Sequence, residues 1–163
     1  MVREHHGEKN YNLRLKIVTV SSTRTIENDD SGKILEDHYA EKGYAVKREI
    51  VKDDPSQIYG ALFGEFASFD FFIYNGGTGI SRYDVTAASI RKVAEKEVRG
   101  FGELFRKKSE DQAGYFSYIS DADLFIVFMK PVFCLPGSPS AQSIGISVID
   151  EIINHIIYET GKE

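Results

Sequence analysis

The sequence predicts an α/β fold, a three-layer α/β/α arrangement around a mainly parallel sheet. Two features carry that prediction. Short apolar runs of strand length alternate with longer stretches whose apolar residues recur at helical spacing. The residues with unusual chemistry, moreover, sit in the segments that leave the strands, where sheets of this kind bind ligands.

The elements follow in order. Residues 1 to 12 are polar and read as a mobile arm, with His5 and His6 solvated in it. "LKIVTV" from Leu15 is a buried strand, and "SSTRTIENDDSG" a loop rich in hydroxyls and carboxylates, in which Ser31 is expected to cap the next helix. "KILEDHYAEKG" sets Ile34, Leu35, His38 and Tyr39 on one face and closes at Gly43. "YAVKREIV" is the second strand. Asp54-Pro55 supplies a cap and a first turn for "SQIYGALFGEF", with Ile58, Leu62, Phe63 and Phe66 turned inward. "FDFFIY" is the third strand and runs straight into three glycines. "DVTAASIRKVAEKEV" reads as a helix through Ala87, Ile90, Val93 or Ala94, and Glu97, and "GFGELFRKKSEDQAG" as another. "DLFIVFMKPVFCLP" is one or two strands, broken near Lys130-Pro131. The last helix, "SAQSIGISVIDEIINHIIYE", carries an apolar stripe of Ile149, Ile152, Ile153, Ile156 and Ile157. With no repeat and no linker, residues 13 to 163 form a single domain of ordinary size.

Composition narrows the function. A net charge of −5, without a Lys/Arg-rich run, argues against nucleic acid as a partner. No apolar stretch approaches the roughly 20 residues of a membrane helix, and the start has no signal-peptide core, so no membrane partner is expected. The single cysteine, Cys134, lies in an apolar strand and fits a cytoplasmic protein.

Three loops leave strand ends. In "YNGGTGISRYDVT" the amides of Gly76, Gly77 and Gly79 are unshielded and suit an anion, helped by the dipole of the helix that follows. Thr78 and Ser81 add hydroxyls, and Arg82 a phosphate-binding cation. Neither a P-loop nor a dinucleotide fingerprint is present, because no Gly-Lys-Ser/Thr follows and Arg82 stands where a third glycine belongs. Asp84 has two readings, a helix N-cap or a magnesium ligand beside phosphates. Asp53 likewise is a solvated loop acid or a second metal ligand, since Asp54 already serves as the cap. Ser21 and Arg24 in the first loop, and Pro136, Gly137, Ser138 and Pro139 in "LPGSPSAQ", complete a rim suited to a phosphorylated ligand and a divalent cation.

"GGTGISRYDVT", "GFGELFR" and "LPGSPSA", in that order and spacing, resemble the MogA/MoaB family of molybdenum-cofactor biosynthesis proteins from about Leu15 to Asn154. "STRTIENDDSG" and "VKDDPSQI" match its pattern as well. The resemblance implies a molybdopterin-binding domain that transfers AMP from ATP to molybdopterin with magnesium. It also implies trimers or hexamers and hand-over to a downstream metal-insertion protein. Matched by position, Asp53 and Asp84 are the family's two functional acids, Gly76 to Gly79 and Pro136 to Pro139 its ligand loops, and Arg24 with Asp29 or Asp30 its first loop. A non-catalytic pterin-binding or scaffold paralogue is the alternative. A nucleotide pyrophosphate hydrolase of the related competence-damage-inducible type is disfavoured by Thr78 and Tyr83. The chain departs from the family's pattern at Tyr83, Asp121 and Phe125. Asp121 stands for an arginine, a reversal expected either to weaken anion binding or to rearrange a subunit contact.

Overall fold

The computed structural model describes residues 12 to 162. The predicted arm, with His5 and His6, lies outside the described residues except for Asn12.

Strand β1 (Arg14–Val20) shows why the sheet is covered twice. Its Leu15 and Ile17 enter one core and Val18 and Val20 another, so both faces are apolar, as buried parallel strands require. Around it lie β2 (Ala45–Val51), β3 (Phe71–Asn75), β4 (Lys96–Glu97), β5 (Asp123–Val127) and β6 (Lys130–Leu135), in the order β2-β1-β3-β6-β5-β4. Only β5 runs against its neighbours. On the Leu15 face pack α1 (Asp30–Glu41) through Leu35 and Tyr39, α4 (Arg99–Ala113) through Phe101 and Phe105, and α5 (Pro139–Thr160) through Val148, Ile149 and Ile153. The Val18 face receives Ile58 and Leu62 of α2 (Pro55–Phe63) with Ala87 and Ile90 of α3 (Thr86–Val93). The three-layer α/β/α prediction therefore holds.

Local signals were mostly obeyed. Asp54 caps α2, its carboxylate accepting from the Ser56 amide. The cap of α1, however, is Asp29 rather than Ser31. Phe63 is 39% exposed and leaves the inward stripe, whereas Phe66, in a 3-10 turn beyond α2, packs against the core and stacks on Phe72. The helix expected to reach Glu97 stops at Val93, because Lys96 and Glu97 pair with β5. The break expected near Lys130-Pro131 is there: β5 and β6 are joined by Phe128 and Met129, both with positive φ, immediately before Lys130. Among the described residues no helix is long and apolar enough to cross a membrane. Cys134 is buried, which raises its pKa and leaves it a packed thiol.

Asp123, at the start of β5, is only 4% exposed. Burial is the largest influence on its carboxyl; the Leu124 amide partly offsets it and Glu97 adds to it, leaving the pKa raised to about 6. Between about pH 4, where the group ionises in the unfolded chain, and pH 6, the folded chain holds a proton the unfolded chain has released. Stability therefore falls as pH rises through that window, by up to about 3 kcal/mol. Asp123→Asn should melt above the parent at pH 7 and lose that advantage at pH 4. A parent protein whose melting point does not decline from pH 4 to 7 relative to the variant would refute the account.

Candidate functional site

The register brings three strand ends level. Thr19 of β1 lies opposite Asn75 of β3, and Asn75 opposite Leu135 of β6. Two more rungs, Ser21 amide to Val51 carbonyl (2.8 Å) and Gly76 amide to Leu135 carbonyl (2.9 Å), fix where each loop departs. Strand order reverses between β1 and β3, so the loops open at the switch point, where sheets of this kind accept ligands.

A buried polar network floors this edge. Asp29 is 2% exposed and accepts from the Thr19 hydroxyl (2.6 Å), the Gly32 amide (3.0 Å) and the Arg48 guanidinium (3.0 Å). Burial alone would raise its pKa, but those donors outweigh it and hold the carboxyl below its usual range. Thr19 in turn accepts from the Asn75 amide (2.9 Å), while the Asn75 side-chain oxygen is buried without a partner among the described residues. Of the two acids left open by the sequence, Asp29 is the structural one; Asp30 is exposed.

The glycine loop divides its labour. Gly76 has a φ of +94°, and a Cβ there would meet the Val20 carbonyl oxygen at 2.4 Å. Its amide belongs to the ladder, which corrects the expectation that it is free for a ligand. Gly77 (φ +69°) sits against Thr86. The amides of Gly77, Thr78 and Gly79 donate to no acceptor among the described residues, and all three residues line a cleft of about 200 Å³. Asp84 borders that cleft and accepts from the Ser81 amide (2.9 Å). It is not the helix cap, because Val85 holds that position. Ser81 and Arg82 are exposed and are not among the lining residues. The Arg82 guanidinium lies 4.8 Å over the Tyr83 ring and donates to its hydroxyl.

The third loop closes the edge. Gly137 approaches Gly76 so closely that a Cβ on it would stand 3.3 Å from the Gly76 Cα. Ser31 donates to the Gly137 carbonyl (2.7 Å), and Gln142 to those of Pro136 and Ser138. The Ser138 hydroxyl caps α5 at the Ala141 amide, so it is not held out for a ligand. Ser21, Arg24, Gly76, Gly137, Ser138 and Pro139 line a second cleft, of about 360 Å³, beside the first. The sequence reading missed part of the first cleft's wall. Phe116, Ile119 and Ser120 line it from the 3-10 segment after α4, and the exposed aromatic run "YFSYI" was the available signal.

Asp53 stands apart. It accepts from the Ser22 hydroxyl (2.7 Å) and is not among the residues lining either cleft. The structure thus joins the glycine loop to Asp84 and Pro136, and Ser21 and Arg24 to Gly137, Ser138 and Pro139, while Asp53 shares neither cleft. Among the described residues no group of three or more His, Cys, Asp or Glu side chains is arranged to hold a metal. Any cation would need ligand phosphates to complete its shell, which is how magnesium is commonly bound.

Comparison with known proteins agrees with this geometry. A family model described as a probable molybdopterin binding domain matches residues 16–155. The chain is 37% identical to molybdenum cofactor biosynthesis protein B of Bacillus cereus, covering 99% of each. It is 34% identical to the molybdopterin adenylyltransferase of Pyrococcus furiosus, covering 96% of each. A crystal structure of molybdenum cofactor biosynthesis protein B superposes with a TM-score of 0.89 at 37% identity, covering 94% of this chain and 99% of that one.

The two glycine roles separate experimentally. Gly76→Ala forces a Cβ into backbone and should cost about 1–3 kcal/mol of stability. Gly79→Ala meets only the Asp84 carboxylate, at 2.7 Å, which can swing aside. It should melt close to the parent yet bind MgATP more weakly. Equal destabilisation of the two variants would contradict this division.

Proposed function

The chain belongs to the molybdopterin-binding domain family, and from that membership we propose that it is a molybdopterin adenylyltransferase acting ahead of metal insertion. The observation that carries the proposal is the row of amides from Gly77 to Gly79, unclaimed among the described residues, in a loop that lines a cleft Asp84 borders. An oxygen of the molybdopterin phosphate attacks the α-phosphorus of ATP. The bond from that phosphorus to the β-bridging oxygen breaks, and pyrophosphate leaves with the electron pair. The attacking oxygen is already anionic, so no general base is needed. Bringing like charges together is the difficulty, and positioning with charge neutralisation is the remedy.

The peptide amides bind phosphoryl oxygens without reorganising, which suits charge that builds up during transfer. Asp84 is the residue that would hold magnesium, and the ion, when bound, supplies positive charge on the phosphates. Arg24 and Ser21, lining the neighbouring cleft with Gly137, Ser138 and Pro139, receive the other substrate. Asp53 acts through Ser22, holding the first loop beside them. Arg82 and Ser81, exposed beside the glycine loop, meet ligand only at the rim. Residues from 13 onward work as one binding domain in the cytoplasm. A homotrimer or hexamer would cover exposed aromatics such as Tyr115, and a downstream metal-insertion protein would take the product.

Pyrophosphate release from MgATP, dependent on molybdopterin, tests the assignment. Binding of both ligands without release would leave a non-catalytic binding module instead. Asp84→Asn keeps an acceptor for the Ser81 amide, so it should melt like the parent while turnover falls on the order of a hundredfold, about 3 kcal/mol of barrier. Unchanged turnover would remove Asp84 from the mechanism.

A further inference from the structure

Asp121 and Phe125, two of the departures from the family's pattern, meet at a third residue. Arg91 of α3 forks onto both oxygens of Asp121, at 2.8 and 3.0 Å, and reaches Glu97 of β4 at 3.0 Å. Its guanidinium lies 5.2 Å over the Phe125 ring, and Phe125 is the β5 residue opposite Glu97. Hydrogen bonding to Asp121 is the largest influence on Arg91 and raises its pKa further. A guanidinium so committed has little left for an anion, and it lines neither of the two clefts at the loops.

The segment that Arg91 grips is the back wall of the first cleft. The Asp121 amide donates to the Thr78 carbonyl at 2.8 Å, and the Thr78 and Ser120 hydroxyls stand 3.5 Å apart. Both Thr78 and Ser120 line the cleft. From the other side Arg106 of α4 donates to the carbonyls of Ser120 (3.2 Å) and Ala122 (2.9 Å). Residues 120–122 are therefore held between two arginines from helices on opposite faces of the sheet. Arg91 also closes a short circuit, because α3 begins at Thr86, at the far end of the same glycine loop, whose amide donates to the Gly77 carbonyl (3.0 Å).

We propose that Arg91 is a positioning residue: its bidentate pair with Asp121 fixes Thr78 and thereby the direction in which the Gly77–Gly79 amides face the cleft. The charge reversal at Asp121 creates an internal clamp rather than a deficient anion site. A fork is required, since a lysine ammonium cannot engage both carboxylate oxygens in one plane. The inference rests on the phosphate-binding reading of this cleft, and its test separates the two.

Arg91→Ala, Arg91→Lys and the isosteric Asp121→Asn would be compared with the parent by MgATP titration, melting temperature and amide exchange followed by mass spectrometry. The expected result is a MgATP dissociation constant about tenfold higher in all three variants, well below their melting points, with turnover at saturating MgATP reduced far less. Exchange should accelerate at the Asp121 amide, whose hydrogen bond to the Thr78 carbonyl the clamp holds. Should Arg91→Ala fail to fold, Asp121→Asn, which preserves volume, carries the same test. Parent-like MgATP affinity in folded variants, or recovery of affinity by Arg91→Lys, overturns the clamp. If the parent itself does not bind MgATP, the phosphate-binding reading fails, and the exchange measurement still decides: unchanged protection at Asp121 overturns the proposal.

Discussion

A carboxylate sealed from water holds the working edge of this protein together. Asp29 draws donors from β1, from the first turn of α1 and, through Arg48, from β2; Thr19 passes the connection on to Asn75 in β3. The side chains of Asp29 and Arg48 are 1% and 8% exposed. Removing one partner of a buried pair costs about 3–5 kcal/mol. An exposed ion pair, such as Lys162 with Glu159, is screened by water and adds little. Many ion pairs decorate this surface, but the buried one decides the shape of the edge. Ser31 extends the same network to the Gly137 carbonyl, so all three loops hang from a common floor.

Much of the architecture was legible because its signals are local. Asp54-Pro55 started α2 as its chemistry required, and the apolar runs of β1, β3 and β6 each became a strand. The misreadings share a cause, which is that a partner distant in sequence outbid the local preference. Ser31 has good capping chemistry, yet its hydroxyl bonds a carbonyl 106 residues away. Residues 94 to 97 keep helical spacing, yet β5 needed a neighbour and took Lys96 and Glu97. No window of single-sequence periodicity contains those partners.

The candidate site was legible to the extent that it is built from backbone. Glycines and prolines announce where a chain bends or approaches closely, and Gly76, Gly77 and Gly137 do both. Which of their amides remain for a ligand depends on the ladder. Gly76 continues the β3–β6 pairing by one rung, and only after it does the chain turn its donors outward. Side-chain walls were harder to read. Phe116 and Ile119 come from a turn whose composition suggests exposure and nothing about direction. Asp53, matched with Asp84 as a functional acid, leaves the edge after β2 and Asp84 after β3, with β1 between those strands, and Asp53 lines neither cleft.

The contrast between floor and rim follows from the energetics of unpaired polar groups. Beneath the loops, donors such as the Arg48 guanidinium and the Gly32 amide are matched, since an unmatched buried group costs about 1–3 kcal/mol. At the rim, Gly77 to Gly79 carry donors with no acceptor among the described residues, tolerable because they line a cleft that solvent reaches. Such donors confer selectivity only if their direction is fixed before a ligand arrives; otherwise binding must order them and loses affinity in doing so. The rigidity cannot come from the glycines themselves. It has to be imposed from outside the loop, by the ladder at Gly76, by the Gly137 contact and by the hydrogen bonds that grip Thr78 and Thr86. The flexibility that admits a phosphoryl group therefore depends on neighbours that take it away.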